Sequence, residues 1–153
     1  MSVLAWGKPT IEYIKLVKDT IPESGWQEMP NPKQDSFAMN TQDGEVKQAF
    51  GEGGILVDEI RSAATTTIEF DIFAAGVGFE MPIPAENGLI SDNYAIRVTP
   101  QDSKLTGIIF KRASVAVSTS WTAEDGILHH YTFTALQPKD NSAMVGPYTA
   151  ESK

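Results

Sequence analysis

The stretch ASVAVSTSWTAEDGILHHYTFTALQP, residues 113–138, decides how the rest of the chain is read. Side chains alternate sides along a strand. Val115, Val117, Thr119 and Trp121 therefore share one face, and Ser114, Ala116, Ser118 and Ser120 share the other. In the second half, Tyr131, Phe133 and Ala135 oppose His130, Thr132 and Thr134. Asp125-Gly126 between the two runs is a hairpin signal, because glycine accepts the positive φ that tight turns require. Two strands and a turn are expected, with Trp121 in the core beside Val115 and Val117. A strand with one bulky apolar face and one small, polar face seals a core on one side and meets something else on the other.

Upstream, Tyr94–Pro100 is a strand with Tyr94, Ile96 and Val98 inward, and Asp102–Leu105 is a turn or one turn of helix. Gly107–Phe110 opens the next strand, and Lys111-Arg112 bend it. Ile55–Arg61 and Thr65–Ala74 read as the longest strands. In the second of these Ile68, Phe70 and Ile72 face the core, while Thr67, Glu69, Asp71 and Phe73 share the other side. Ala75–Asn93 mixes Gly76, Gly78, Pro82, Pro84 and Gly88 with Phe79, Met81, Ile83 and Leu89. Such an apolar loop either folds back over the core or meets a partner. Val46–Phe50 is extended, between a turn at Gln42-Asp43-Gly44-Glu45 and a break at Gly51-Glu52-Gly53-Gly54.

Ser36–Thr41 is a short strand. Pro22, Pro30 and Pro32 make Lys18–Gln34 loop and edge strand, because proline lacks the amide donor. Thr10–Val17 reads as a strand in which Ile11 and Tyr13 oppose Ile14 and Leu16 only across a bulge; a helix is the alternative. No stretch keeps a helical period beyond about two turns. The fold class predicted is mainly β: a sandwich or barrel of antiparallel strands with at most one short helix.

The chain has 153 residues, which suits a single domain over 1–153 with a sizeable core. Residues 1–9 are an apolar arm and 139–153 a polar tail. Net charge is −8, and between Asp43 and Asp71 seven acids face only Lys47 and Arg61. A protein that grips a duplex needs the opposite sign. There are no cysteines, so disulfides, thiol nucleophiles and cysteine-ligated metals are excluded. The start lacks the basic and apolar run of a secretory leader, and no apolar run approaches the roughly 20 residues that span a bilayer. Synthesis in the cytoplasm is expected.

Motifs for catalysis are missing. His129 and His130 are the only histidines, and on a strand they point to opposite faces. No Gly-x-Ser-x-Gly elbow occurs, and the glycines at 51–54 precede no Lys-Ser/Thr of a phosphate loop. Glu69 and Asp71 lie parallel on one strand face rather than across a cleft. No enzyme activity, cofactor or metal is expected.

Ile96-Arg97-Val98-Thr99-Pro100, Gly107-Ile108-Ile109-Phe110, Arg112-Ala113-Ser114-Val115, Glu124-Asp125-Gly126 and Tyr131-Thr132-Phe133-Thr134-Ala135-Leu136-Gln137-Pro138 together resemble the closing strands of phage tail tube proteins. The likeness covers roughly residues 94–138, with a looser echo from Gly44 to Phe73. That family shares its fold with the inner tubes of contractile tails and of type VI secretion. The resemblance implies a virion or prophage structural protein, made in the host cytoplasm and resident in the tail. It would form hexameric rings that stack into a tube and contact other tail proteins. DNA or protein would pass as cargo without tight binding, and no membrane would be involved. The family's flanking helix has no obvious counterpart in the proline- and glycine-rich 75–93 segment.

Carried onto this chain, the resemblance makes Thr67, Glu69 and Asp71 channel-facing. It makes Leu4, Trp6, Asp43, Gly44, Glu45, Glu52, Gly53 and Gly54 ring-stacking residues, through the arm and the Asp43–Leu56 loop. A head decoration or head–tail connector protein is the alternative within the virion. A carbohydrate-binding β-sandwich, with Trp6, Trp26 and Trp121 as platform, is the alternative outside it.

Overall fold

Strand periodicity carries through most of the chain. The computed structural model describes residues 7–74, 79–86, 89–102 and 104–148. Within them the strands are β1 (Thr10–Lys15), β2 (Gln27–Glu28), β3 (Ala38–Gln42), β4 (Val46–Phe50), β5 (Leu56–Arg61), β6 (Thr65–Phe73), β7 (Tyr94–Thr99), β8 (Gly107–Thr122), β9 (Gly126–Ala135) and β10 (Val145–Tyr148). The only helical piece among them is a single 3-10 turn at Glu52–Gly54. The fold is mainly β and antiparallel, as the alternation predicts.

One sheet holds eight of the strands, in the order β2-β1-β7-β8-β9-β6-β3, with β10 alongside β8. Ile11 on β1 and Ile68 on β6 belong to the same buried cluster although three strands lie between them. The sheet must therefore roll around its own core. Phe70, Phe110, Tyr131 and Phe133 fill that core with no exposed surface. Each such side chain contributes on the order of 1.5–3 kcal/mol by leaving water. Phe70 lies at 6.0 Å from Tyr131 and 5.9 Å from Phe133 between ring centroids.

The described part of the apolar 75–93 loop closes this core. Ile83 is fully buried, and the Tyr131 hydroxyl donates to its carbonyl at 2.9 Å and accepts from its amide at 3.3 Å. The Tyr13 hydroxyl donates to the Pro82 carbonyl. A loop with proline at 82 and 84 has few backbone donors to satisfy, so tyrosine hydroxyls can hold it inside.

Both faces of β1 are covered, which explains its untidy pattern without a bulge. Ile11 and Tyr13 enter the main core. Ile14 and Leu16 join Ala95 in a second, smaller core under Ile21 and Trp26. Beside it, Arg97 holds Glu12 through two hydrogen bonds of 3.0 and 3.2 Å. Its guanidinium lies 4.1 Å from the Trp26 ring and 4.8 Å from the Tyr148 ring. Arg97 thus pins both the 16–26 loop and β10 to the sheet. The polar tail expected over 139–153 consequently includes a docked strand, β10.

β8 is the longest strand, at 16 residues, not the two upstream strands. Gly107–Phe110 opens β8, and the strand bends at Lys111-Arg112. The bend is a bulge: Tyr94 pairs with Ala113 and Ile96 with Phe110, so Lys111 and Arg112 of β8 together oppose the single Ala95 of β7. A bulge twists the strand locally. It lets β8 pass from β7 and β10 to a ten-residue ladder with β9. That ladder runs from Ala113–Ala135 to Thr122–Gly126, which confirms the hairpin and its turn.

Candidate functional site

The sheet's outer surface beyond the second core is open and polar. Register places Thr67, Thr134 and Ser114 in one cross-strand row, Glu69, Thr132 and Ala116 in the next, and Asp71, His130 and Ser118 in a third. Phe73, Leu128 and Ser120 end the series. Phe73, the apolar residue on an otherwise polar face, is therefore partnered by Leu128, which is itself buried. Ile68, Phe70 and Ile72 point the other way, into the core.

Glu69 and Asp71 do not stand as an unpartnered acidic pair. The His130 Nδ1 bonds Asp71 Oδ1 at 2.6 Å, and its Nε2 is 4.0 Å from Glu69 Oε1. A carboxylate only accepts, so the Nδ1 proton lies in the bond to Asp71. The partner sits on β9, not on the acids' own strand, which is why reading one strand at a time misses it. His129 points inward instead, 7% exposed, with Nδ1 2.9 Å from the Thr119 hydroxyl and its ring stacked on Phe79. The two histidines serve opposite faces, as alternation requires.

The predicted stacking loop is a hairpin. β4 and β5 pair only with each other, in a sheet of their own. Every residue of both strands is exposed. Phe50, Ile55, Leu56, Val57 and Ile60 are among the most exposed apolar side chains of the described residues. Asp43, Gly44 and Glu45 lie at its root, and Glu52, Gly53 and Gly54 at its tip, about 17 Å apart along a five-residue strand. Gly44 has a packing reason to be glycine: a Cβ there would sit 2.2 Å from the Ser62 carbonyl oxygen. The Ser62 amide donates to the Glu45 carbonyl at 2.9 Å, tying the two chain crossings together. Leu4 and Trp6 lie outside the described residues.

Two further surfaces carry no sequence signature. From Ser114 to Thr122, β8 has a ladder neighbour on one edge only among the described residues, since β7 ends its pairing at Ala113. Trp121 stands at this outer end and is 78% exposed. It is on the core side of the strand but beyond the core's reach, which corrects its expected burial. A cationic groove of about 520 Å³ lies between the Val17–Thr20 turn and the chain leaving β9, and Lys18, Lys111 and Lys139 line it.

Among the described residues no group of three or more His, Asp or Glu side chains is placed to hold a metal ion. No helix among them is long and apolar enough to cross a membrane. No family model matches the chain, and no curated protein matches it.

Proposed function

We propose that this chain is a structural subunit that assembles with copies of itself into stacked rings, forming a phage-type tail tube through which DNA or protein passes. Its work is mechanical and electrostatic rather than catalytic. The host cytoplasm is its place of synthesis and the virion tail its destination. One observation carries the self-association: among the described residues the second half of β8 has a ladder neighbour on one edge only. Residues 114–122 contain no charge and no proline, the devices that natural edge strands use to discourage pairing. Their backbone groups on that side have no ladder partner among the described residues. A ring of copies satisfies such an edge, because each subunit's edge meets its neighbour.

The open face beside this edge supports the channel assignment. Thr67, Glu69 and Asp71 stay in contact with water there, whereas burying the two carboxylates in a subunit contact would cost about several kcal/mol each. The tail tube identity itself rests on the resemblance over residues 94–138. Negative-stain electron microscopy of the concentrated protein tests the proposal. Rings or tubes of constant bore are the expected result. Monomers alone at every concentration would overturn it.

A further inference from the structure

Next to Pro82, where the loop closes over the core, lies a recess of about 290 Å³. Register sets Gln27 opposite Tyr13 and Tyr94 opposite Lys15. Residues two apart on a strand share a side, so all four side chains stand on the same side of the sheet, and all four line the recess. The loop before β2 supplies Ser24 and Gly25. Gly25 has a φ of 110°, which glycine alone adopts readily, and it turns the chain between Ser24 and Gln27. The Tyr13 and Tyr94 rings are 6.3 Å apart between centroids and tilted by 54°, so they form a corner rather than a flat wall.

The polar groups at this corner are only partly used. The Tyr13 hydroxyl has one proton, with Gln27 Oε1 at 2.9 Å and the Pro82 carbonyl at 3.1 Å as acceptors. This contact orients the Gln27 amide and leaves its nitrogen, a donor of two hydrogen bonds, without an acceptor among the described residues. The hydroxyls of Ser24 and Tyr94 have no hydrogen-bond partner among them either. Each can donate once and accept twice. Lys15 is the one charged lining residue among those described, and Asp92 pairs with it at 3.2 Å.

We propose that this recess binds a neutral saccharide, one pyranose unit at a time. A pyranose combines an apolar C–H face, which suits a tyrosine ring, with hydroxyls that both donate and accept. Ser24, Gln27 and Tyr94 offer the same mixture of donors and acceptors. A free ion gains little where the only charge is already paired. A proline-rich peptide presents carbonyl acceptors without amide donors, so it would leave the acceptor side of both hydroxyls idle. Small-molecule sites measure roughly 300–1,000 Å³, and a recess at the bottom of that range fits a single ring. Trp26 and Trp121, the platform expected of a sugar-binding sandwich, do not line it. The site lies within one copy, so the inference goes beyond the tube reading and does not rest on it.

Saturation-transfer NMR on the intact chain tests the site, with the methyl glycosides of glucose, galactose, mannose and N-acetylglucosamine as probes. A Kd of about 1 mM is expected for at least one of them, the affinity that about 13 heavy atoms reach at ordinary ligand efficiency. Tyr94→Phe keeps the ring and removes the hydroxyl, and it should weaken binding about tenfold. Ser24→Ala, at an exposed loop position, should weaken it by a similar factor, with circular dichroism confirming both folds. Trp121→Ala should change nothing. Absence of transfer to all four probes at about 10 mM, tenfold above that Kd, would overturn the proposal. Binding that is lost in Trp121→Ala and kept in Ser24→Ala would also overturn it, by placing the sugar on the exposed indole. Binding of a hexaproline peptide without transfer to any sugar would overturn the saccharide class. Sugar binding by a chain that never forms rings would keep this site and overturn the tube; rings without sugar binding would do the reverse.

Discussion

Tyr131 shows how a single residue couples the core to the loop above it. Its ring is fully buried, and its hydroxyl makes both hydrogen bonds to Ile83. Burial pushes its phenol up to about 12, against a smaller lowering by the Ile83 backbone bond. Tyr13 and Tyr94 are also raised, chiefly by burial. A phenol whose folded-state pKa exceeds its ordinary value binds its proton more tightly when folded. The stability it contributes is complete below about pH 10 and is lost as pH rises through about 12. Thermal melts should fall steeply as pH rises above about 10. Tyr131→Phe should cost about 1–3 kcal/mol at neutral pH and make the alkaline fall shallower; an unchanged alkaline limb would remove Tyr131 as its source. Alternation alone made Tyr131 legible as inward-facing. Its partner was not legible, because a loop without period gives no register. Trp121 failed for the opposite reason: period 2 says which side a residue takes but not where the layer opposite it ends.

The β4–β5 hairpin behaves as an appendage among the elements. Among the described residues it pairs with no other strand, and each residue of its two strands is exposed. Replacing residues 46–61 by a short Gly-containing turn should leave circular dichroism of the remaining sheet and the melting temperature nearly unchanged, while abolishing tube growth. Loss of folding would instead make the hairpin part of the folding unit. The sequence marked its extended runs, its glycine-rich tip and its acidity. It did not reveal that the two runs pair with each other alone, because exposed and buried strands share β-branched composition and only tertiary packing separates them. The Arg97 cluster was hidden in the same way. Glu12, Trp26, Arg97 and Tyr148 come from four distant segments, and nothing local links them.

For the whole molecule, the sides of the rolled sheet divide the labour: one holds the core, the other stays polar beyond the small second core. In the proposed ring that polar side would face the bore, with Glu69 and Asp71 repeated in every copy. On that proposal their field would repel DNA phosphates over about a Debye length, ~8 Å at physiological salt. Glu69→Lys with Asp71→Lys should leave tubes intact and slow DNA ejection from virions, measured by dye release from single particles. Unchanged ejection, or a tube structure with these positions on its outside, would remove them from the lumen while leaving the strand assignment standing. The bulge at residues 111–112 bears on how the gene can change. Elsewhere along β8, losing one codon would exchange inward and outward side chains for the rest of the strand. At the bulge it would not, because the extra residue there already offsets the alternation: Phe110 and Ala113 both face the core. A one-codon deletion at that point keeps every downstream side chain on its own side and removes only the bend, so it is the place in β8 where descendants of this chain can vary in length.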